Sequence, residues 1–224
     1  MTLAYDLLWR PLAAYEILRG RGLSSLSNRY GRFHVGDIHS VLQFSRFFDP
    51  KVKQVVSKAT GLFADVGANI GLMSVLAARN GAEVVAIEPG RMAYSLLLEN
   101  LHNNRLADRV EAVRAAAWSD DVDLFLQYSD QLALREIGKE GEKVKGRKLD
   151  SILGGRKPDL IKIDVEGHSI EVLHGAVETL TRHHPAIVFE ARPEKNELPP
   201  VMTELTKLGY SIARLDRTNW FASV

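Results

Sequence analysis

The chain contains no cysteine in its 224 residues, which excludes disulfides, cysteine nucleophiles and thiolate metal sites and fits a cytoplasmic protein. Net charge is also scarce. The 29 Lys and Arg nearly balance 28 Asp and Glu, leaving +1. A dedicated nucleic-acid binder carries a basic excess, so no nucleic-acid partner is expected. No apolar run approaches the ~18 residues that a membrane-spanning helix needs. The first residues, Met1-Thr-Leu-Ala-Tyr-Asp6, carry an early acid and no basic segment, so they do not read as a signal peptide. Internal repeats and low-complexity tracts are missing too. What remains is an ordinary globular composition, 46% hydrophobic, with enough apolar residues for a large core.

The small net charge hides an asymmetry. Residues 1–60 hold nine Lys and Arg against four acids, a net +5 that leaves −4 for the remainder. Leu3, Leu7, Leu8, Leu12, Tyr15 and Leu18 fall roughly on one helical stripe, interrupted by Pro11. Such a helix would pack on the rest of the chain or on a second copy. Arg10, Arg19 and Arg21 also admit a helix lying on a membrane surface, against which Asp6 and Glu16 weigh. Gly20 and Gly22 end it, and Ser24–Asn28 reads as a linker or loop. The expected division is residues 1–60, a helical or extended region serving as acceptor cap or dimer contact, and residues 61–224.

From residue 61 the pattern alternates between strands and helices. Strands are expected at 62–66, 83–88, 109–115, 160–165 and 186–190, with an extra strand or hairpin at 122–128. Helices are expected at Ile70–Arg79, around Tyr94, Leu97, Leu98 and Leu101, at Ser169–Leu180 and at Pro200–Leu208. Lys139–Lys148 reads as a solvated loop or edge strand, and residues 210–215 with 220–224 as a closing hairpin. Alternation of this kind means an α/β doubly wound sheet.

The strongest chemical signal is Phe63-Ala-Asp65-Val-Gly67-Ala-Asn69-Ile-Gly71. A strand ends at an acid, glycines bend the chain, and a buried helix begins. Gly67 allows close approach of a ligand to backbone, and Gly71 permits close helix packing. About 20 residues further on, a second strand ends at Glu88-Pro89, where an acid can accept hydrogen bonds from a ribose diol. A dinucleotide site wants G-x-G-x-x-G so that amides cradle a pyrophosphate. Here the spacing differs, and Asp65 would repel a phosphate. A nucleoside that carries an ammonium and a sulfonium but no phosphate, S-adenosylmethionine (SAM), fits better.

Asp65-Val-Gly-Ala-Asn-Ile-Gly71, Ala86-Ile-Glu-Pro89, Leu149-Asp-Ser-Ile-Leu153 and Ile161-Lys-Ile-Asp-Val-Glu-Gly167, continuing to Glu171-Val-Leu-His-Gly-Ala176, resemble the FkbM family of SAM-dependent methyltransferases. The resemblance covers roughly residues 60–192. It implies a mostly parallel seven-stranded sheet of the class I, Rossmann-like methyltransferase type with an N-terminal helical extension. It also implies O-methylation of a hydroxyl on a glycan, lipid or natural-product acceptor. The family's usual Ala-Glu after Glu-Gly is His168-Ser169 here.

On this reading Asp65, Gly67 and Asn69 hold the methionine part of SAM, Glu88 the ribose, and the Ala117-Trp118-Ser119-Asp120 turn the adenine, with Gly71 and Pro89 also among the cofactor-binding residues. Lys162 and Asp164 share one strand face by period two. Asp164, Glu166 and His168 are the candidate catalytic residues, with His168 beside Asp164 expected to take the acceptor proton. Glu190 ends the neighbouring strand. Asp164, Glu166 and Glu190 could also hold Mg²⁺, but acidic clusters more often form hydrogen-bond networks, and no metal is expected. His34 and His39 are candidates for the acceptor pocket. The rival is a catalytically inactive SAM-binding module with a regulatory or dimerisation role.

Overall fold

The computed structural model describes residues 26–28, 30–35, 49–128 and 135–224. The whole of the expected N-terminal stripe, residues 3–18, lies outside them, as does His39. Among the described residues before position 60, the chain forms a hairpin, β1 (Leu26–Asn28) with β2 (Gly31–Phe33), and one short helix, α1 (Pro50–Val56). That is no clear helical extension.

The elements that follow are β3 (Leu62–Val66), α2 (Leu72–Arg79), β4 (Glu83–Ile87), α3 (Arg91–Asn103), β5 (Val110–Val113), β6 (Ala116–Ala117), β7 (Val122–Tyr128), β8 (Arg135–Gly138) and β9 (Glu142–Arg147). The second half holds α4 (Leu149–Leu153), β10 (Leu160–Ile163), α5 (Ser169–His174), α6 (Val177–His183), β11 (Ala186–Glu190), a 3₁₀ turn (Pro193–Lys195), α7 (Leu198–Lys207), β12 (Ser211–Arg214) and β13 (Asn219–Ser223).

Seven strands form the main sheet in the order β12-β13-β11-β10-β3-β4-β5. It is mixed rather than the mostly parallel sheet expected. The pairs from β11 to β5 are parallel, whereas β13 pairs antiparallel with both β11 and β12. The physical reason is the short Leu215–Thr218 connection, which can turn a hairpin but cannot carry a crossover back to a parallel strand. Strands β3 and β10 are buried on both faces because helices cover both. In β3, Phe63 joins one core with α2 and α3, while Ala64 and Val66 join the other with α4 and α6. From β3 the chain winds outward through β4 and β5, then restarts at β10 on the other side. The carboxyl ends of β3 and β10 therefore flank the topological switch point, where open α/β sheets bind ligands.

Three expectations need correction. Lys143 and Lys145 lie on the exposed face of β9 and pair with Asp123, but Val144 is buried and Gly146 packs against Val122 and Leu124. That alternation makes Glu142–Arg147 a strand of a second sheet, β6-β9-β7-β8, rather than a loop, with β6 covering only its last two residues. Residues 169–180 form two helices, not one. A Cβ on Gly175 would sit 1.9 Å from the Trp118 carbonyl oxygen, so the backbone must pass close there. The new start at α6 is capped by Asp150, which accepts the Glu178 and Thr179 N–H groups at 2.9 and 2.8 Å. On α3, Leu98 is 45% exposed, and the buried polar residue is Asn100. Its amide donates to the carbonyls of Ile70 and His34, tying the N-terminal hairpin segment to the loop after β3.

Candidate active site

The site begins with the bend after β3. Gly67 has φ of 80°, and a Cβ there would fall 1.9 Å from the Asp164 carbonyl oxygen. Only glycine fits that conformation and that closeness without displacement. The N–H groups of Gly67 and Ala68 both donate to the Ile87 carbonyl, locking the loop onto the end of β4. Asn69 also adopts a left-handed conformation, φ 50°, and its N–H donates to Glu88 Oε2 at 2.9 Å. Gly90, one residue past the half-buried Pro89, donates its N–H to Glu88 Oε1. Glu88 thus clamps the two loops together. Gly71 caps α2 at φ 90°, with Leu97 Cδ1 2.5 Å from where its Cβ would be, so its visible role is packing against α3.

Asp65 is fully buried. Ser74 donates its hydroxyl to Oδ2 at 2.6 Å, whereas Oδ1 has no hydrogen bond. Lys162 lies 3.5 Å from that oxygen, because Lys162 and Asp65 are register partners on adjacent parallel strands. The same ammonium lies 3.2 Å from Asp164 Oδ2, as their shared strand face anticipates. Burial alone would push the Lys162 ammonium down, but Asp164 and Asp65, with Asp49 behind them, push it well above its ordinary value.

Around Asp164 the carboxylates crowd. One oxygen each of Asp164, Glu166 and Glu190 lies within 4.8 Å of the others. Glu166, at a left-handed φ of 50°, binds Arg192 at 2.9 Å, and Arg192 also binds Glu197 at 2.9 Å. Burial and then Asp164 push Glu166 up, and Arg192 opposes them. Burial, Asp164 and Glu166 push Glu190 up to about 8. Asp49, just before α1, is likewise raised by burial and by Asp164, while Asn219 donates to it at 3.0 Å. Lys162 on Asp164 and Arg192 on Glu166 already supply cations to this cluster, which reads as a charged network.

The remaining expected residues join through side contacts. Ala117 is buried on β6, where it pairs with Arg147 of β9. The Trp118 ring packs 5.1 Å from that of His168, so the expected adenine segment adjoins the loop after β10. His168 is turned toward Glu171, with its Nδ1 3.8 Å from a buried Glu171 oxygen that has no hydrogen bond. Its described partners are Trp118 and Glu171, not Asp164. His34 pairs with Glu99 of α3. Sequence reasoning did not assign roles to Lys162, Arg192, Asp49, Ser74 or Asn219. Only Lys162 left a signal, its face shared with Asp164.

The residues present fit SAM. The buried Asp65 Oδ1 accepts no hydrogen bond, and around the strand ends the carboxylates outnumber the cations, which suits a ligand bearing ammonium and sulfonium charges. Sheet, glycine bend and strand-end acids together define a class I, Rossmann-like methyltransferase with SAM as its cofactor. The family model described as "Methyltransferase FkbM domain" matches residues 65–212, and the chain belongs to that family. It is similar to methyltransferase sdnD of Sordaria araneosa, 26% identical over 87% of this chain and 90% of that one. It is also similar to hexuronic acid methyltransferase AglP of Haloferax volcanii, 29% identical over 70% of this chain and 67% of that one. Among solved structures, methyltransferase FkbM from Methylobacillus flagellatus KT matches with a TM-score of 0.55 and 19% identity. The match covers 96% of this chain but 60% of that one, and the likeness is one of fold.

Proposed function

We propose that this methyltransferase transfers the methyl group of SAM to a hydroxyl on a glycan, lipid or natural-product acceptor. The observation that carries this reading is the carboxylate cluster at the switch point, adjoining the glycine bend and Glu88. When bound, SAM supplies an electrophilic methyl group on a sulfonium sulfur. Asp65, through its buried charge, and Gly67 and Asn69, through backbone, hold the methionine end. Glu88 with Pro89 faces the ribose, and Ala117 and Trp118 line the adenine side. Asp164, Glu166 and His168 form the acceptor-facing side, where oriented groups hold the hydroxyl and accept its proton. Because the imidazole faces Glu171, the proton-accepting role passes to the carboxylates, and His168 with Trp118 forms a wall. A hexuronic acid is one candidate acceptor, since AglP is named for that substrate. The described residues include no helix long and apolar enough to cross a membrane.

The test is calorimetry with SAM, followed by incubation with SAM and hydroxyl-bearing sugars, hexuronic acids included, reading S-adenosylhomocysteine and the position of the methyl group. Glu88→Ala is expected to weaken SAM binding by about 1–3 kcal/mol, the cost of losing a charged hydrogen-bond acceptor. Absence of SAM binding by the folded wild type, or a methyl group found on nitrogen, would overturn the reading.

A further inference from the structure

Glu190 is the acid that the site leaves without a partner. It ends β11, next to β10 in the sheet, with its carboxylate within 4.8 Å of the Asp164 and Glu166 oxygens. The nearby cations are committed elsewhere. Lys162 of β10 faces Asp164 and Asp65, and Arg192 of the loop after β11 takes Glu166 and Glu197. Among the described residues the Glu190 carboxylate accepts no hydrogen bond, although its backbone carbonyl accepts one from Ser169. The groups facing it come from every neighbouring element. Asp164 and Glu166 come from the loop after β10, Asp49 from the segment before α1, and Arg192 from its own loop. Lys195 of the 3₁₀ turn acts on Glu166 and Glu197 behind them. On β13, Glu190's register partner Asn219 is neutral and engaged with Asp49 and Asp216. Three acids against one committed guanidinium favour the neutral form of Glu190.

We propose that Glu190 is the proton store of the site: protonated in the cofactor-free protein, it releases its proton when the sulfonium cation of SAM binds nearby, and it receives the acceptor's hydroxyl proton once that charge has gone. This rests on the SAM reading above. The logic is electrostatic. A cation added beside three like charges lowers the cost of a fourth, and its loss restores that cost. In the transfer, the acceptor oxygen gains the O–CH₃ bond while sulfur keeps the electron pair of the broken S–CH₃ bond. The hydroxyl proton passes into the Asp164–Glu190 pair and rests on Glu190. Since one proton went to solvent on binding, each turnover releases one proton net, as the chemistry requires. The proton acceptor is thus armed by the charge of the methyl donor and disarmed by its consumption.

Calorimetric titration with SAM and with S-adenosylhomocysteine tests this, in phosphate and in Tris near pH 8. The difference in apparent heat between buffers counts protons. With Glu190 pushed up to about 8, about half the sites carry the proton at that pH, so SAM should release roughly half a proton more than S-adenosylhomocysteine. In Glu190→Gln that excess should vanish while SAM still binds. The ammonium of the ligand is common to both proteins and cancels in the comparison. Should Glu190→Gln fail to fold, the wild-type difference between the two ligands decides. No excess in the wild type, or an excess that survives in Glu190→Gln, overturns the proposal. So does proton release triggered equally by MgCl₂, which would make the cluster a divalent-cation site. If neither ligand binds at all, the SAM reading itself fails and this inference falls with it.

Discussion

Lys162 shows how one residue can join two strand ends. Its ammonium is buried between Asp65 of β3 and Asp164 just after β10, 3.5 and 3.2 Å away. Removing an ion pair as a unit can be nearly neutral, but removing one partner strands the other's charge. Lys162→Met, close in shape, should therefore destabilise the fold by about 3 kcal/mol at neutral pH, since two acids lose their counter-charge. Urea denaturation measures this directly. A variant as stable as wild type would mean that the two carboxylates relax onto other partners, and the bridge would not be what holds them. This pairing was half legible in the sequence. Period two puts Lys162 and Asp164 on one face, but the register that sets Lys162 opposite Asp65 appears only in the sheet. Arg192 was not legible at all. Its partner Glu166 lies 26 residues away, and nothing local marks the pairing.

At the scale of elements, sequence and structure agree where a short apolar or alternating run is bounded by turn residues. Strands 62–66, 122–128 and 186–190 are placed as expected. Disagreement arises where a distant contact overrides the local pattern. The apolar spacing of residues 169–180 continues smoothly through Gly175, yet the Trp118 carbonyl occupies the place of a Cβ there and the helix breaks. Asp150 then makes the second start viable by satisfying two free N–H groups of α6. Replacing it with Ala leaves both donors without this acceptor. Asp150→Ala is expected to cost about 1 kcal/mol of stability, the usual worth of a helix cap. SAM affinity should hardly change, since α6 lies outside the site. A denaturation midpoint indistinguishable from wild type would show that water caps the helix as well as Asp150 does.

Over the whole molecule, the fold concentrates charge at the place where the winding of the sheet reverses. Asp49 comes from before the first described helix, Asn219 from the last strand, 170 residues later, and both close on the ends of β10 and β11. Such long-range assembly is why the acid cluster could be suspected from strand ends but its members not enumerated. It also makes stability depend on pH with a sign opposite to that of most paired carboxylates. Glu190, Glu166 and Asp49 are all held above their ordinary values, chiefly by burial and then by Asp164. In the unfolded chain they ionise near their ordinary values, so between the two the folded protein binds more protons. Stability from these groups is therefore greatest in mild acid and declines as pH rises. For Glu190 the window runs from about 4.5 to about 8. Lys162 acts elsewhere: raised above 10.5, it supports the fold through neutral pH and withdraws support only in stronger alkali. Thermal melting of wild type and Glu190→Gln across pH 5 to 8.5 isolates the first effect, because every other titrating group is common to both. The wild type should lose melting temperature relative to the variant as pH rises through this window. Parallel curves would mean that Glu190 ionises in the folded protein as it does in the unfolded chain, and the cluster would then store no proton.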